Sequence, residues 1–119
     1  MSSEVKRAVR VAGRMREELA SALGGLSDPR VLGVIVSRVE LTDDLQLARI
    51  YVRRESGAAS PQEQAALLRG LESAAGRLRQ QVTRGLGLRY APNLRFFYDE
   101  AQDAVSRVEE LLAEIRRGT

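Results

Sequence analysis

Apolar residues recur along this chain with two periods, and the switches between them set out its elements. From Glu4 to Leu23, the residues Ala8, Val11, Ala12, Met15, Leu19, Ala22 and Leu23 return every three or four positions, which predicts an amphipathic helix. Gly24-Gly25 ends it. Leu26 to Gly33 is a loop punctuated by Asp28-Pro29 and Gly33. Val34 to Leu41 (VIVSRVEL) is β-branched and partly alternating, so it reads as a strand. A turn at Thr42-Asp43-Asp44 leads into a second strand, Leu45 to Arg54, antiparallel to the first because so short a connection makes a hairpin.

The longest pattern runs from Ser60 to Arg89, after a flexible connection at Glu55 to Ala59. Ser60 is placed to cap, Pro61 suits the first helical position, and Glu63 completes a capping box. Leu67, Leu68, Leu71, Ala74, Ala75, Leu78 and Val82 form one apolar face. A rotation of roughly 100° per residue gathers Arg69, Ser73, Gly76, Arg77, Gln80 and Arg84 on the opposite face. Gly76 thus looks outward among arginines, although glycine costs about 1 kcal/mol relative to alanine in a helix. It is either a tolerated small residue, a bend or break in the helix, or a point where a phosphate-bearing partner approaches the backbone. The helix is expected to be bent or broken there and to end around Gly85-Leu86-Gly87.

Leu88 to Pro92 leads into a short aromatic strand, Leu94 to Tyr98. Its aromatic side chains are candidates for base stacking, but for Phe96 core packing is the stronger reading, because a small core needs its few large rings. Asp99 to Arg117 is a last amphipathic helix, with Ala104, Val105, Val108, Leu111, Leu112 and Ile115 expected to face inward. Asp99, Glu100 and Asp103 fall in its first turn, where the helix dipole favours negative charge, so no metal site is implied. The order helix, strand, strand, long kinked helix, strand, helix predicts an α+β fold. A three-stranded sheet carries helices on one face, and its other face is either wet or a docking surface.

Composition narrows the function. The 119 residues hold no histidine and no cysteine, which removes the usual general base, thiol nucleophile and soft metal ligands. No phosphate-binding GxxxxGK[ST] loop or GxGxxG fingerprint is present, Lys6 is the sole lysine, and an enzyme is not expected. Asp43 and Asp44 sit in a hairpin turn, where turn chemistry accounts for them. The net charge of +3 is unevenly spread: residues 1–23 carry +2, residues 24–61 are balanced, residues 62–92 carry +3 and residues 93–119 carry −2. Basic charge on the first and central helices points to a polyanionic partner. Arg7, Arg10 and Arg14 share the outer side of the first helix; they either join that footprint or form a solvated face. No signal peptide and no run of roughly 20 apolar residues is present, so a cytoplasmic protein with no membrane partner is expected.

Several stretches together resemble the bacterial ribosome-binding factor A family. They are Asp28-Pro29-Arg30, Val39-Glu40-Leu41-Thr42-Asp43-Asp44-Leu45, Ala48-Arg49-Ile50-Tyr51-Val52, Ala74-Ala75-Gly76-Arg77-Leu78-Arg79, Leu86-Gly87-Leu88-Arg89-Tyr90-Ala91-Pro92, and Leu94-Arg95-Phe96 to Asp99. They occur in order over nearly the whole chain. The resemblance implies a type II KH-like RNA-binding domain over residues 1–119, with an Ala-x-Gly kink at Ala74-Ala75-Gly76. It also implies a cytoplasmic, non-enzymatic factor that binds the small (30S) ribosomal subunit and its 16S rRNA, aids late maturation and 16S 5′-end processing, and supports growth in the cold. No cofactor and no small-molecule substrate are implied, and a monomer is expected. The basic tail of some members is not expected here, since the sequence closes on Arg116-Arg117-Gly118-Thr119.

Two classes of function follow: an RNA-binding assembly factor, with Arg69, Ser73, Ala74, Ala75, Gly76, Arg77, Gln80, Arg84, Arg7, Arg10 and Arg14 as candidate contacts, or a protein–protein adaptor of the same fold. Salt dependence separates them, because phosphate contacts weaken steeply with salt and apolar interfaces do not.

Overall fold

A computed structural model of the chain describes residues 2–118, apart from the side chains of Gln102, Asp103 and Ser106. The first-turn acid expected at Asp103 therefore lies outside the described residues. Helix α1 (Ser3–Gly24) starts where the Ser2 hydroxyl accepts the Val5 N–H at 3.2 Å. Strands β1 (Val34–Leu41) and β2 (Leu47–Arg54) pair antiparallel, and helix α2 (Pro61–Leu86) carries the chain over to β3 (Asn93–Tyr98), which pairs parallel with β2. A parallel pair needs such a crossover. The sheet order is β1-β2-β3, and helix α3 (Glu100–Gly118) follows.

The core is the layer between one sheet face and the paired helices. Met15 and Leu19 of α1, Leu71 and Leu78 of α2, and Ile50 and Val52 of β2 are fully buried there. The stripe read on the first helix is the buried one; on the central helix Leu67, Leu71, Leu78 and Val82 are buried, and Leu68, Ala74 and Ala75 pack half-buried against the core. Ser60 and Glu63 form the reciprocal capping box, and Gly87, at φ 64°, provides the left-handed C-cap. The hairpin turn is longer than the sequence predicts: β2 begins at Leu47 rather than Leu45, and Leu45 adopts φ 60°. Asp44 accepts the Thr42 hydroxyl (2.7 Å) and the Gln46 N–H (3.1 Å), so its role is turn chemistry.

The partial alternation of β1 has a structural cause. Val36 pairs with Val52 but Arg38 with Tyr51, so Ser37 is the extra residue of a β-bulge. The inserted residue reverses the parity of the strand: Val34 and Val36 face the core before it, Val39 and Leu41 after it. Ser37 Oγ lies 2.7 Å from Asp99 Oδ2 and 3.1 Å from the Tyr51 carbonyl.

Two expectations are corrected. Of the bend or break expected at Gly76, the break does not occur: helix α2 runs continuously from Pro61 to Leu86, and Gly76 is not among the glycines with positive φ. Within this helix a close approach to a buried glycine occurs instead at Gly70. A Cβ there would meet Val31 Cγ1 at 2.8 Å and Arg30 Cβ at 3.0 Å, so only a bare backbone lets the 3-10 turn Pro29–Val31 pack down. The second correction concerns α3, whose stripe is amphipathic but not inward. Val105, Val108, Leu111, Leu112 and Ile115 are 45 to 57% exposed. Three strands about 4.8 Å apart offer room for two helices packed 8 to 10 Å apart, and α1 and α2 occupy it. The radius of gyration, 16.0 Å, exceeds the roughly 13.5 Å of a compact chain of this length, as a projecting helix requires. Among the described residues, no helix is long and apolar enough to cross a membrane.

Candidate nucleic-acid interface

The outer face of α2 is an exposed ridge. Arg69, Ser73, Gly76, Arg77, Gln80 and Arg84 all lie on it in solvent, as the helical rotation predicts. Ala74 and Ala75 are half-buried and pack against the core, so Gly76 is the one member of the Ala74-Ala75-Gly76 motif on the exposed face. A Cβ at Gly76 would meet nothing within 4 Å.

A shallow cleft lies on each side of the ridge. One, of about 280 Å³, is bounded by Leu26, Asp28, Ser73 and Arg77. The other, of about 400 Å³, lies between Glu72 and Ala75 of α2 and the β3 residues Arg95 and Phe97. A helical ridge bearing guanidinium groups, with a groove on either side, suits an extended phosphate backbone better than a compact ligand.

Ser73 is held in the helix by its hydroxyl, which donates to the Arg69 carbonyl at 3.0 Å. The first cleft also receives Arg30, whose guanidinium donates to Ser73 Oγ at 3.5 Å and to the Asp28 carboxylate at 2.7 to 3.1 Å. Asp28 caps the 3-10 turn by accepting the Arg30 N–H at 2.9 Å. The Arg30 side chain, then its amide, holds the Asp28 carboxyl below the ordinary carboxylate value, and Asp28 raises Arg30 in return. Arg30 was not among the candidate contacts read from the periodicity of α2; its signal in the sequence is Asp28-Pro29-Arg30, a capped turn that aims the side chain at the helix. Arg79 is a second omission. It reaches the Pro92 and Ala91 carbonyls at 3.0 and 2.8 Å and thereby fastens the 88–92 loop to α2.

On α1, Arg7, Arg10 and Arg14 are exposed. Arg7 opens on a depression of about 480 Å³ that also holds Arg89, Tyr90 and Asn93, beyond the C-terminal end of α2. The two helices touch where the Glu18 carboxylate lies against Gly85. No group of three or more His, Cys, Asp or Glu able to hold a metal occurs among the described residues.

A three-stranded mixed sheet, two helices on one of its faces, and an arginine ridge on the crossover helix define a KH-like α+β protein. The chain belongs to the ribosome-binding factor A family: the profile described as "Ribosome-binding factor A" matches residues 7–112. The ribosome-binding factor A of Sorangium cellulosum is 59% identical over 119 residues, covering all of this chain and 96% of that protein. The crystal structure of ribosome-binding factor A from Thermus thermophilus superimposes with a TM-score of 0.68 at 26% identity, covering 76% of this chain and 93% of that one. A homology model of the Thermus thermophilus protein, fitted into a cryo-EM map of its 30S complex, gives a TM-score of 0.61 at 27% identity, over 75% of this chain and 91% of that one.

Proposed function

We propose that this chain is a non-enzymatic assembly factor that binds the 30S subunit and its 16S rRNA and promotes late maturation and 5′-end processing of that RNA. The observation that carries the reading is the α2 ridge, where Arg69, Arg77 and Arg84 project into solvent with Gly76 bare between them. Family membership and the 30S complex of the Thermus thermophilus relative support the choice of partner. In this reading residues 1–119 act as one RNA-binding unit, monomeric and cytoplasmic, with no cofactor. Arg69, Ser73, Gly76, Arg77, Gln80 and Arg84 contact the RNA, Ala74 and Ala75 support the contact from beneath, and Arg7, Arg10 and Arg14 extend it along α1.

Cosedimentation of the purified protein with 30S subunits and with whole ribosomes, across a salt series, tests this. Selective 30S binding is expected, with a log–log salt slope of roughly −2 to −5 as a few arginines release counterions. A flat salt response would favour the adaptor of the same fold and sink the RNA reading.

A further inference from the structure

Strand parity that sends Phe96 into the core, where it is 9% exposed, turns the adjacent Phe97 to the other face of the sheet, where it is 39% exposed. That face is the one turned away from α1 and α2, and its side chains line up across the strands. Arg38 of β1 lies over the Tyr51 ring of β2, with its guanidinium carbon 4.0 Å from the centroid. Tyr51 in turn stacks on Phe97 of β3 at 5.4 Å between centroids and 27° between planes. The β-bulge at Ser37 brings Arg38 into register with Tyr51, and the parallel register sets Tyr51 beside Phe97. The result is a column of one guanidinium and two rings that ends at the edge strand β3.

The adjacent row is harder to explain by folding alone. Arg49 of β2 and Arg95 of β3 are direct register partners, both exposed. Like charges directly opposite one another destabilise a sheet. Glu40 is the register partner of Arg49 on the other side, but its carboxylate pairs with Arg38 at 3.6 Å. An anion shared by Arg49 and Arg95 would remove the repulsion. Rings beside paired arginines match the chemistry of unpaired nucleotides, with bases to stack and phosphates to neutralise. Two arginines in direct register favour a polyanionic partner, whose phosphates neutralise both.

We propose that this sheet face is a second RNA contact that takes single-stranded nucleotides, bases stacking on Phe97 at the end of the column and phosphates lying on Arg49 and Arg95. The proposal rests on the reading that the chain binds RNA, but it uses the sheet face turned away from α1 and α2, which meets one cleft of the α2 ridge at Arg95 and Phe97.

The test uses the full chain and a labelled hexa-adenylate RNA, followed by fluorescence anisotropy, with 30S cosedimentation run in parallel. Phe97→Ala is expected to weaken hexamer binding about tenfold. Phe97→Leu keeps the side-chain bulk but lacks the π face; it should weaken binding nearly as much, which separates stacking from any loss of fold. The double variant Arg49→Gln/Arg95→Gln should make the salt slope shallower by roughly 1.4, or about 0.7 per phosphate on a single strand. Hexamer affinity unchanged in the Phe97 variants overturns the proposal, and so does failure of the parent to bind the hexamer. Loss of 30S binding in Phe97→Leu with hexamer binding intact also overturns it, since the face would then dock a protein. Failure of the parent to bind 30S subunits would instead remove the proposed function, and the hexamer result would still decide this face.

Discussion

Ser37 Oγ and Asp99 Oδ2 stand 2.7 Å apart, joining the bulge of β1 to the end of β3 across the intervening strand. The serine has one hydroxyl proton and two acceptors in reach, and the carboxylate is both closer and charged. Asp99 is 9% exposed, so removing this donor takes a hydrogen bond from a nearly buried carboxylate. Ser37→Ala should therefore lower stability by about 1–3 kcal/mol. It is read as a lower urea midpoint with an unchanged m-value.

Gly70 and Gly76 of α2 should respond in opposite directions. Gly70→Ala puts a methyl against Val31 Cγ1 and Arg30 Cβ and should cost about 1–3 kcal/mol through displacement of the 3-10 turn. Gly76→Ala meets open space in an unbroken helix and should stabilise the protein by up to about 1 kcal/mol. Thermal unfolding of the two variants side by side gives the sign of each. A destabilised Gly76→Ala would mean a backbone at that position that only glycine adopts.

On the ridge, Arg69→Gln, Arg77→Gln and Arg84→Gln together should weaken 30S binding and make its salt slope shallower by roughly 2 if the phosphates lie on single strands. The matching change of Arg7, Arg10 and Arg14 should cost less affinity, since the two clefts flank α2 rather than α1. Both triple variants should stay within about 0.5 kcal/mol per site of the parent stability. Equal losses from the two helices would enlarge the footprint to include α1 on equal terms.

Acid should loosen the turn before α2. The Arg30 side chain and amide lower the Asp28 carboxyl in the folded state, whereas the unfolded chain has the ordinary value near 3.8. A group depressed on folding contributes stability above its unfolded value and loses that contribution as pH falls through the folded one. The urea midpoint of the parent should thus decline below about pH 4 more steeply than that of Asp28→Asn. Asp44, lowered by the Thr42 hydroxyl and the Gln46 amide, contributes a parallel loss that the Asp28 variant retains.

Periodicity made α1, α2 and their buried stripes legible because each helix packs on one side and leaves the other to solvent. The same reasoning failed at α3, where an equally clear stripe stays about half exposed although the helix touches β2; amphipathicity reports a face that can be covered, not the room to cover it. It also placed Gly76 on the exposed face while missing Gly70, because the partner that comes close to Gly70 is a turn far earlier in the chain, which no local pattern reveals. The bulge at Ser37 left a trace as broken alternation in VIVSRVEL. Arg38, Tyr51 and Phe97 became neighbours only through strand register, which a single sequence does not display.

The projection of α3 has a consequence in time as well as in shape. Helices α1 and α2 share a core with the sheet and should open only when the whole unit unfolds, whereas the apolar stripe of α3 stays largely exposed among the described residues and can fray on its own. In deuterated buffer the α3 amides should exchange orders of magnitude faster than those of Leu71 or Leu78, and faster than the Asp99 amide, which is bonded to the Val52 carbonyl at 2.8 Å. A protease should find the same boundary, trimming the chain after Asp99 and leaving a body that still unfolds cooperatively.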